Sequence, residues 1–309
     1  MNIVILAAGK GKRMHSDLPK VLQPVAGEPM VSRVIRTASA LNPARTVVVI
    51  GHGGESVRAA LAEVPGLRFA EQKEQLGTGD ALRCALSDLD PAEKQTLVLL
   101  GDVPLIRAES LSKFCEATGN GVGILTVELA DPTGYGRIVK QNGQVTRIVE
   151  QKDASPEEAA ITECNSGVYC FDACALFDAL SQVNSDNAQG EFYLTDVLAI
   201  SRAAGRPVLA YKTSDAEQCL GVNSRGQLAE ATRVMQRRIN DAHMAAGVTM
   251  WDPATAYIGP EVEIAPDVEL LPNVMLLGKT TIGEDSVVGP DSRLTDTRVG
   301  RGCRIDETV

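Results

Sequence analysis

The chain has 309 residues, which predicts about two domains at roughly 100–200 residues each. Hydrophobic residues make up 44% and charged residues 23%, an ordinary globular balance that supports a large core without disulfides or metals. A net charge of −10 argues against nucleic acid or a membrane surface as partner, yet residues 1–60 hold eight Lys/Arg against three acids, a local +5 suited to a small anion.

Residues 2–6 form an apolar run that ends in small residues and glycines, the pattern of a strand buried on both faces. Met30, Val31, Val34, Ile35, Ala38 and Leu41 follow at helical spacing. Thr46–Ile50 reads as a second buried strand, followed by Gly-His-Gly-Gly and a helix. A helix near 79–89 and a strand over 96–100, ending at Gly101-Asp102, continue the alternation. Strands alternating with helices imply a parallel sheet with helices on both faces; the fold class expected is α/β, a Rossmann-like domain with a mixed, mostly parallel sheet. Arg137–Val149 breaks the pattern: it alternates about Asn142-Gly143 and predicts an inserted antiparallel hairpin. Strand and helix signals resume over 166–171, 172–180 and 192–204. A long helix follows over Arg225–Ala246, with Leu228, Ala231, Met235, Ile239 and Ala242 on one face.

Beyond Gly247 the chain becomes periodic. Ile258, Ile264, Leu270, Leu276, Ile282, Val288 and Leu294 recur every six residues; the register slips by one and resumes at Val299 and Ile305. This is a hexapeptide β-helix repeat rather than an irregular sandwich. It runs to Val309 without an evident polar cap, so a longer solenoid or a covering partner is expected. The organisation expected is an α/β domain over 1–224, a linker helix over 225–247 and a partial β-helix over 248–309.

No apolar run approaches the ~20 residues that cross a bilayer, and the amino terminus lacks a basic n-region. Seven cysteines show no Cys-x-x-Cys pair. Cys170 and Cys174 read as buried thiols rather than a metal half-site. A reducing, cytoplasmic setting is expected. His15, His52 and His243 show no zinc or triad grouping, and His52 reads as a turn residue.

The loop after the first strand carries the chemistry. Small residues there allow backbone N–H groups to approach phosphate, and Lys10, Lys12, Arg13 and Lys20 add charge within eleven residues. Met14 replaces the third glycine of a dinucleotide fingerprint, and no Walker A pattern is present. Asp102, at the end of a buried strand beside this loop, reads as a Mg²⁺ ligand rather than a turn or cap residue. Gly77-Thr78-Gly79 alone is a tight turn before a helix, and Glu150 alone is an exposed carboxylate at a hairpin end.

Leu6-Ala-Ala-Gly9-Lys-Gly11-Lys-Arg13-Met followed by Leu18-Pro-Lys20 resembles the signature of sugar-1-phosphate nucleotidyltransferases. Further motifs narrow the match: Gln72…Gln75-Leu-Gly77-Thr78-Gly, Gly101-Asp102-Val-Pro-Leu, Asp131-Pro-Thr-Gly-Tyr-Gly136-Arg-Ile, Glu150-Gln-Lys-Asp, Asn165-Ser-Gly and Gly221-Val-Asn223. Over the whole chain, in order, the sequence is similar to the bacterial bifunctional N-acetylglucosamine-1-phosphate uridyltransferase/glucosamine-1-phosphate acetyltransferases. The resemblance implies uridylyl transfer from UTP to N-acetylglucosamine 1-phosphate, giving UDP-N-acetylglucosamine and pyrophosphate for cell-wall precursors, with Mg²⁺ as cofactor. It implies nucleotide binding by Leu6, Ala7, Ala8, Gly9, Gly11, Arg13, Lys20, Leu100 and Gly101, and metal binding by Asp102 and Asn223. Arg13, Lys20 and Asp102 would be catalytic. Gln72, Gly77 and Thr78 would read uracil, whose single N3–H donor lies between two acceptors, and Gly136, Glu150 and Asn165 would hold the sugar. It also implies a left-handed β-helix and a homotrimer in the full-length family. Acetyl transfer is not expected of this chain, because that site lies in later coils. Lys12 stands where the family usually has Thr, and Leu100 where it often has Tyr. Rival readings are another sugar nucleotidyltransferase or a silent binding module on the same fold.

Overall fold

The computed structural model describes residues 1–306. Positions 307–309, the end of the expected repeat segment, lie outside the described residues. The chain separates into two compact units: residues 1–23 with 30–224, and residues 24–29 with the chain from Arg225 onward.

β1 (Asn2–Leu6) is buried throughout and forms the centre of the first unit. Ile3 and Ile5 face one core cluster and Val4 and Leu6 the other, which accounts for an apolar strand without alternation. The short hairpin β2 (Pro24–Val25) and β3 (Glu28–Pro29) groups with the second unit. Then come α1 (Met30–Ser39), β4 (Arg45–Ile50), α2 (Gly54–Ala60), β5 (Leu67–Glu71), α3 (Thr78–Ala85), β6 (Gln95–Leu100) and α4 (Ala108–Thr118). They are followed by β7 (Val122–Glu128), the hairpin β8 (Arg137–Gln141) and β9 (Gln144–Val149), α5 (Pro156–Ala159) and β10 (Glu163–Asp172). α6 (Ala173–Gln182), α7 (Asp196–Ala203) and β11 (Val208–Lys212) complete the sheet unit.

The sheet order is β11-β7-β10-β6-β1-β4-β5, with the β8–β9 hairpin attached at β10. β1 pairs in parallel with β4 and β6, β4 with β5, and β7 with β11; β10 runs antiparallel to β6 and β7. α1, α2 and α4 bury Val34, Val57 and Phe114 on one face, and α3, α6 and α7 bury Leu82, Leu176 and Leu198 on the other. From β1 the chain moves outward through β4 to β5, then returns to place β6 on the opposite side. Such a reversal opens a crevice at the carboxyl ends of the strands, the usual ligand position in open α/β sheets.

In the second unit, α8 (Arg225–Ala245) precedes short strands arranged in three parallel sheets. Ile258 stacks on Leu276 and Leu294, Ile264 on Ile282 and Val299, and Leu270 on Val288 and Ile305. Three hexapeptides therefore make one coil of a parallel β-helix, and the sequence slip is one shortened coil. Asp267, Asn273, Asp285, Asp291 and Asp296 occupy positive φ at the corners, a conformation that Asn and Asp tolerate better than most side chains.

Two expectations change at the level of single residues. Cys174 is exposed on α6 and only Cys170 is buried, because residue 174 falls on the outer face of that helix. The signal over 192–204 contains only one regular element, α7; residues 192–195 form the turn that leads into it. Among the described residues no helix is long and apolar enough to cross a membrane.

Candidate active site

The loop leaving β1 is held on both sides by neighbouring strands. Ala7 N–H donates to Val49 O at 2.8 Å, and Gly101 N–H donates to Leu6 O at 2.9 Å. A Cβ on Gly51 would lie 2.9 Å from Ala8 Cβ, so β4 approaches the loop too closely for a side chain. The crevice above these strand ends is a cavity of about 310 Å³. Leu6, Ala7, Ala8 and Gly9 line it from the loop, Leu100 and Asp102 from the end of β6, and Gln72, Gly77 and Thr78 from the segment between β5 and α3. Lys20 also lines it.

Asp102 and Asn223 meet through the backbone. Val222 N–H donates to Asp102 O at 2.9 Å, which carries the next side chain to the same place. Lys20 Nζ donates to Asn223 Oδ1 at 2.9 Å and forms an ion pair with Asp102 Oδ2. The Lys20 and Asp102 side chains are 12% and 16% exposed, so the pair is shielded from water on most sides. Gly11 adopts φ 60°, and a Cβ there would lie 2.5 Å from Lys20 Cβ; glycine at this position makes room for the lysine stem.

Gln72 is 4% exposed. Its Nε2 donates to Gly77 O at 3.0 Å and to Asp80 Oδ2 at 2.8 Å. The Gly77 turn is docked on a distant loop: Phe192 N–H donates to Leu76 O at 2.7 Å, Gly79 N–H to Phe192 O at 2.8 Å, and Leu194 N–H to Thr78 Oγ1 at 3.1 Å. Gly77 has φ 113°, and a Cβ there would sit 2.6 Å from Phe192 O.

Gly136, Glu150 and Asn165 form a neighbouring group. Asn165 N–H donates to Gly136 O at 2.8 Å, and a Cβ on Gly136 would lie 3.4 Å from Glu150 Oε1 and 3.5 Å from Asn165 Cβ. The β10–β7 register shifts between Asn165 and Tyr169, so Asn165 sits at a bulge of the kind that re-aims side chains beside active sites. Its Nδ2 donates to the Tyr169 hydroxyl at 2.9 Å, and its Oδ1 accepts from Gly167 N–H at 2.6 Å. Gly167 lies against Leu100 of the cavity wall. Burial raises the Glu150 carboxyl above its ordinary pKa, reinforced by the negative charge of Asp153. The buried Thr195 hydroxyl lies toward this carboxylate without completing a hydrogen bond of good geometry.

Several expected residues stand apart. Lys12 and Arg13 are exposed on a 3-10 turn anchored by buried Met14, and Lys10 is also exposed; none of the three lines the cavity. Other residues join the site without being singled out by the sequence. Gln75 Nε2 donates to Ala8 O at 2.9 Å and holds the first loop from across the crevice. The half-buried phenol of Tyr135, raised in pKa by burial, accepts from Gly221 N–H at 3.4 Å beside Asn223. Gln75 belongs to the Gln72–Gly79 motif and Tyr135 to the Asp131–Ile138 motif; Thr195 carries no signal beyond proximity in the fold.

Among the described residues no group of three or more His, Cys, Asp or Glu side chains could hold a metal ion. The Asp102–Asn223 oxygen pair converges on one cation, the Lys20 ammonium. A carboxylate and an amide oxygen make half of a site that substrate phosphates could complete.

Comparison with known proteins identifies the family. Residues 3–219 match the family of MobA-like NTP transferase domains. The chain is 49% identical over 311 aligned residues to the bifunctional protein GlmU of Lactobacillus delbrueckii subsp. bulgaricus, covering 99% of this chain and 67% of that relative. It is 56% identical over 256 residues to the GlmU of Burkholderia multivorans, covering 82% of this chain and 56% of the relative. The chain thus spans between about half and two thirds of the length of these curated relatives. A solved structure described as a glucose-1-phosphate thymidylyltransferase of Bacillus anthracis, in complex with sucrose, aligns with a TM-score of 0.60. It is 20% identical and covers 76% of this chain and 94% of that one, a likeness of fold.

Proposed function

Since the chain belongs to the GlmU family of bifunctional proteins, and its NTP transferase domain makes it a nucleotidyltransferase, we propose that it transfers a uridylyl group from UTP to N-acetylglucosamine 1-phosphate. The observation that carries this reading is the meeting of Lys20 with Asp102 and Asn223 in the cavity that Gln72 and Gly77 also line. A cation for phosphate and a directional amide for a base share one crevice.

A phosphate monoester oxygen of the sugar attacks the α-phosphorus of UTP. That P–O bond forms as the α–β phosphoanhydride bond breaks, and pyrophosphate leaves with the electron pair. The attacking oxygen is already ionised near neutral pH, so no side chain need remove a proton. The obstacle is electrostatic, because two anions must meet in line, and preorganised positive charge is the efficient remedy. Lys20, which Asp102 and Asn223 hold at the site in the free protein, supplies it, and loop N–H groups after Leu6 orient the phosphates. Asp102 and Asn223 would hold Mg²⁺, whose oxygen preference fits them and which would neutralise the phosphates. The carboxyl oxygens of Glu150 and the underused Thr195 hydroxyl suit the hydroxyl and acetamido groups of the sugar. The seven free thiols suit a cytoplasmic enzyme.

The test is pyrophosphate release from UTP, ATP or dTTP with a panel of sugar 1-phosphates and Mg²⁺. Release from UTP with N-acetylglucosamine 1-phosphate, well above every other pair, is expected. Preference for another nucleotide supports a sibling transferase, and no release from any pair supports a binding module.

A further inference from the structure

Both hydrogens of the Gln72 amide are in use. Nε2 donates to Gly77 O at 3.0 Å and to Asp80 Oδ2 at 2.8 Å, and a side-chain amide nitrogen has only two hydrogens. Its remaining polar atom, Oε1, can only accept. Rotating the amide by half a turn would set Oε1 against a carbonyl and a carboxylate, acceptors both, at a residue 4% exposed where water cannot compensate. The orientation of the amide is therefore dictated by its neighbours.

Asp80 occupies the first turn of α3, where a carboxylate is favoured by the helix dipole, and it is not among the residues lining the cavity. We infer that Asp80 is a specificity-positioning residue: it fixes Gln72 as a hydrogen-bond acceptor, and so selects bases that present an N–H at position 3. Uracil presents that N–H. Cytosine presents a lone pair there, and two acceptors would then face each other in a buried site. The inference rests on the uridylyl-transfer reading and deepens it, adding a residue that never touches the nucleotide.

The experiment compares kcat/KM for UTP and CTP, with the same sugar 1-phosphate, in wild type, Asp80→Asn, Asp80→Ala and Asp80→Glu, with melting temperatures recorded alongside. In Asp80→Asn the new amide can donate toward Gln72, so only the weaker neutral bond to Gly77 O still favours the original orientation. The UTP/CTP ratio is expected to fall at least about tenfold in the Asn and Ala variants, the size of one lost hydrogen bond to a charged group. Asp80→Glu keeps an acceptor and is expected to retain most of the preference. A purely structural role would lower both substrates equally and leave the ratio unmoved. An unchanged ratio in both the Asn and Ala variants, with wild type turning over UTP in the same run, overturns the inference alone. Wild type that does not turn over UTP overturns the functional reading and the inference with it.

Discussion

Lys20 is held before any nucleotide arrives. Its ammonium satisfies the same two oxygens that suit a divalent ion, so ion and lysine compete in the free protein. Lys20→Met is expected to tighten Mn²⁺ binding to the nucleotide-free protein several-fold, followed by paramagnetic resonance; unchanged affinity would separate the lysine from the metal position. Arg13 is the contrasting case. Because it is exposed, Arg13→Ala should leave the melting temperature unchanged, while kcat falls by at least about 10² once triphosphate draws the guanidinium inward. A near-wild-type rate removes it from the mechanism. Glu150 links pH to both binding and stability. Its raised pKa means the folded protein holds that proton to higher pH than the unfolded chain, so stability falls as pH rises from the ordinary carboxylate range through the raised value. Glu150→Gln should remove that decline and leave stability at neutral pH equal or greater. It should also raise KM for the sugar phosphate by roughly 5–10-fold, as loss of one buried hydrogen-bond acceptor predicts. Titration of the variant's melting temperature against pH, beside sugar-phosphate kinetics, tests both halves.

At the scale of elements, the Gly77 turn shows how sequence and tertiary structure divide the specification. The glycine is legible as a turn before a helix. That its Cβ would strike Phe192 O is not, because the Phe192–Leu194 loop is more than a hundred residues away. Gly77→Ala must strain φ 113° and displace backbone, so a loss of about 1–3 kcal/mol or more is expected in urea unfolding, with kcat/KM reduced. The same distinction governs the rest of the site. The strand ends at Leu6 and Leu100 are legible from their apolar runs, since a short uninterrupted run that stops at small residues or glycine is what burial on both faces of a sheet requires. The pairing of Asp102 with Asn223 depends on one backbone bond from Val222 and leaves no trace in spacing; only family resemblance joins the two. β11 is a half-buried edge strand defined by pairing with β7, and α4 has modest amphipathicity, so neither carries a local signal strong enough to single it out.

At the scale of the whole molecule, each unit carries its own order. The sheet unit draws stability from two core clusters on opposite faces, and the β-helix from vertical stacks of apolar side chains. Leu276 is fully buried between Ile258 and Leu294. Leu276→Ala should cost about 2–5 kcal/mol within the β-helix, seen as loss of hydrogen-exchange protection at the amides of Tyr257, Gly259 and Met275, which bond to neighbouring coils. The +5 of the first sixty residues also resolves spatially: Lys20 lines the cavity, while Lys10, Lys12 and Arg13 are exposed and do not line it.

The shortened coil between Leu276 and Val299 has its own consequence. Side chains still stack in register on either side of it, so the missing residue was absorbed at a corner, beside Asp296, whose carboxylate also accepts from Lys279 N–H in the preceding coil. Corners therefore act as expansion joints. Adding a residue there alters the length of one bend and leaves the inside of the tube inside. Adding one between Val287 and Val288 would exchange inward and outward side chains for the remainder of that face. Natural variation in repeat length along such a chain should accordingly gather at its bends and spare its walls.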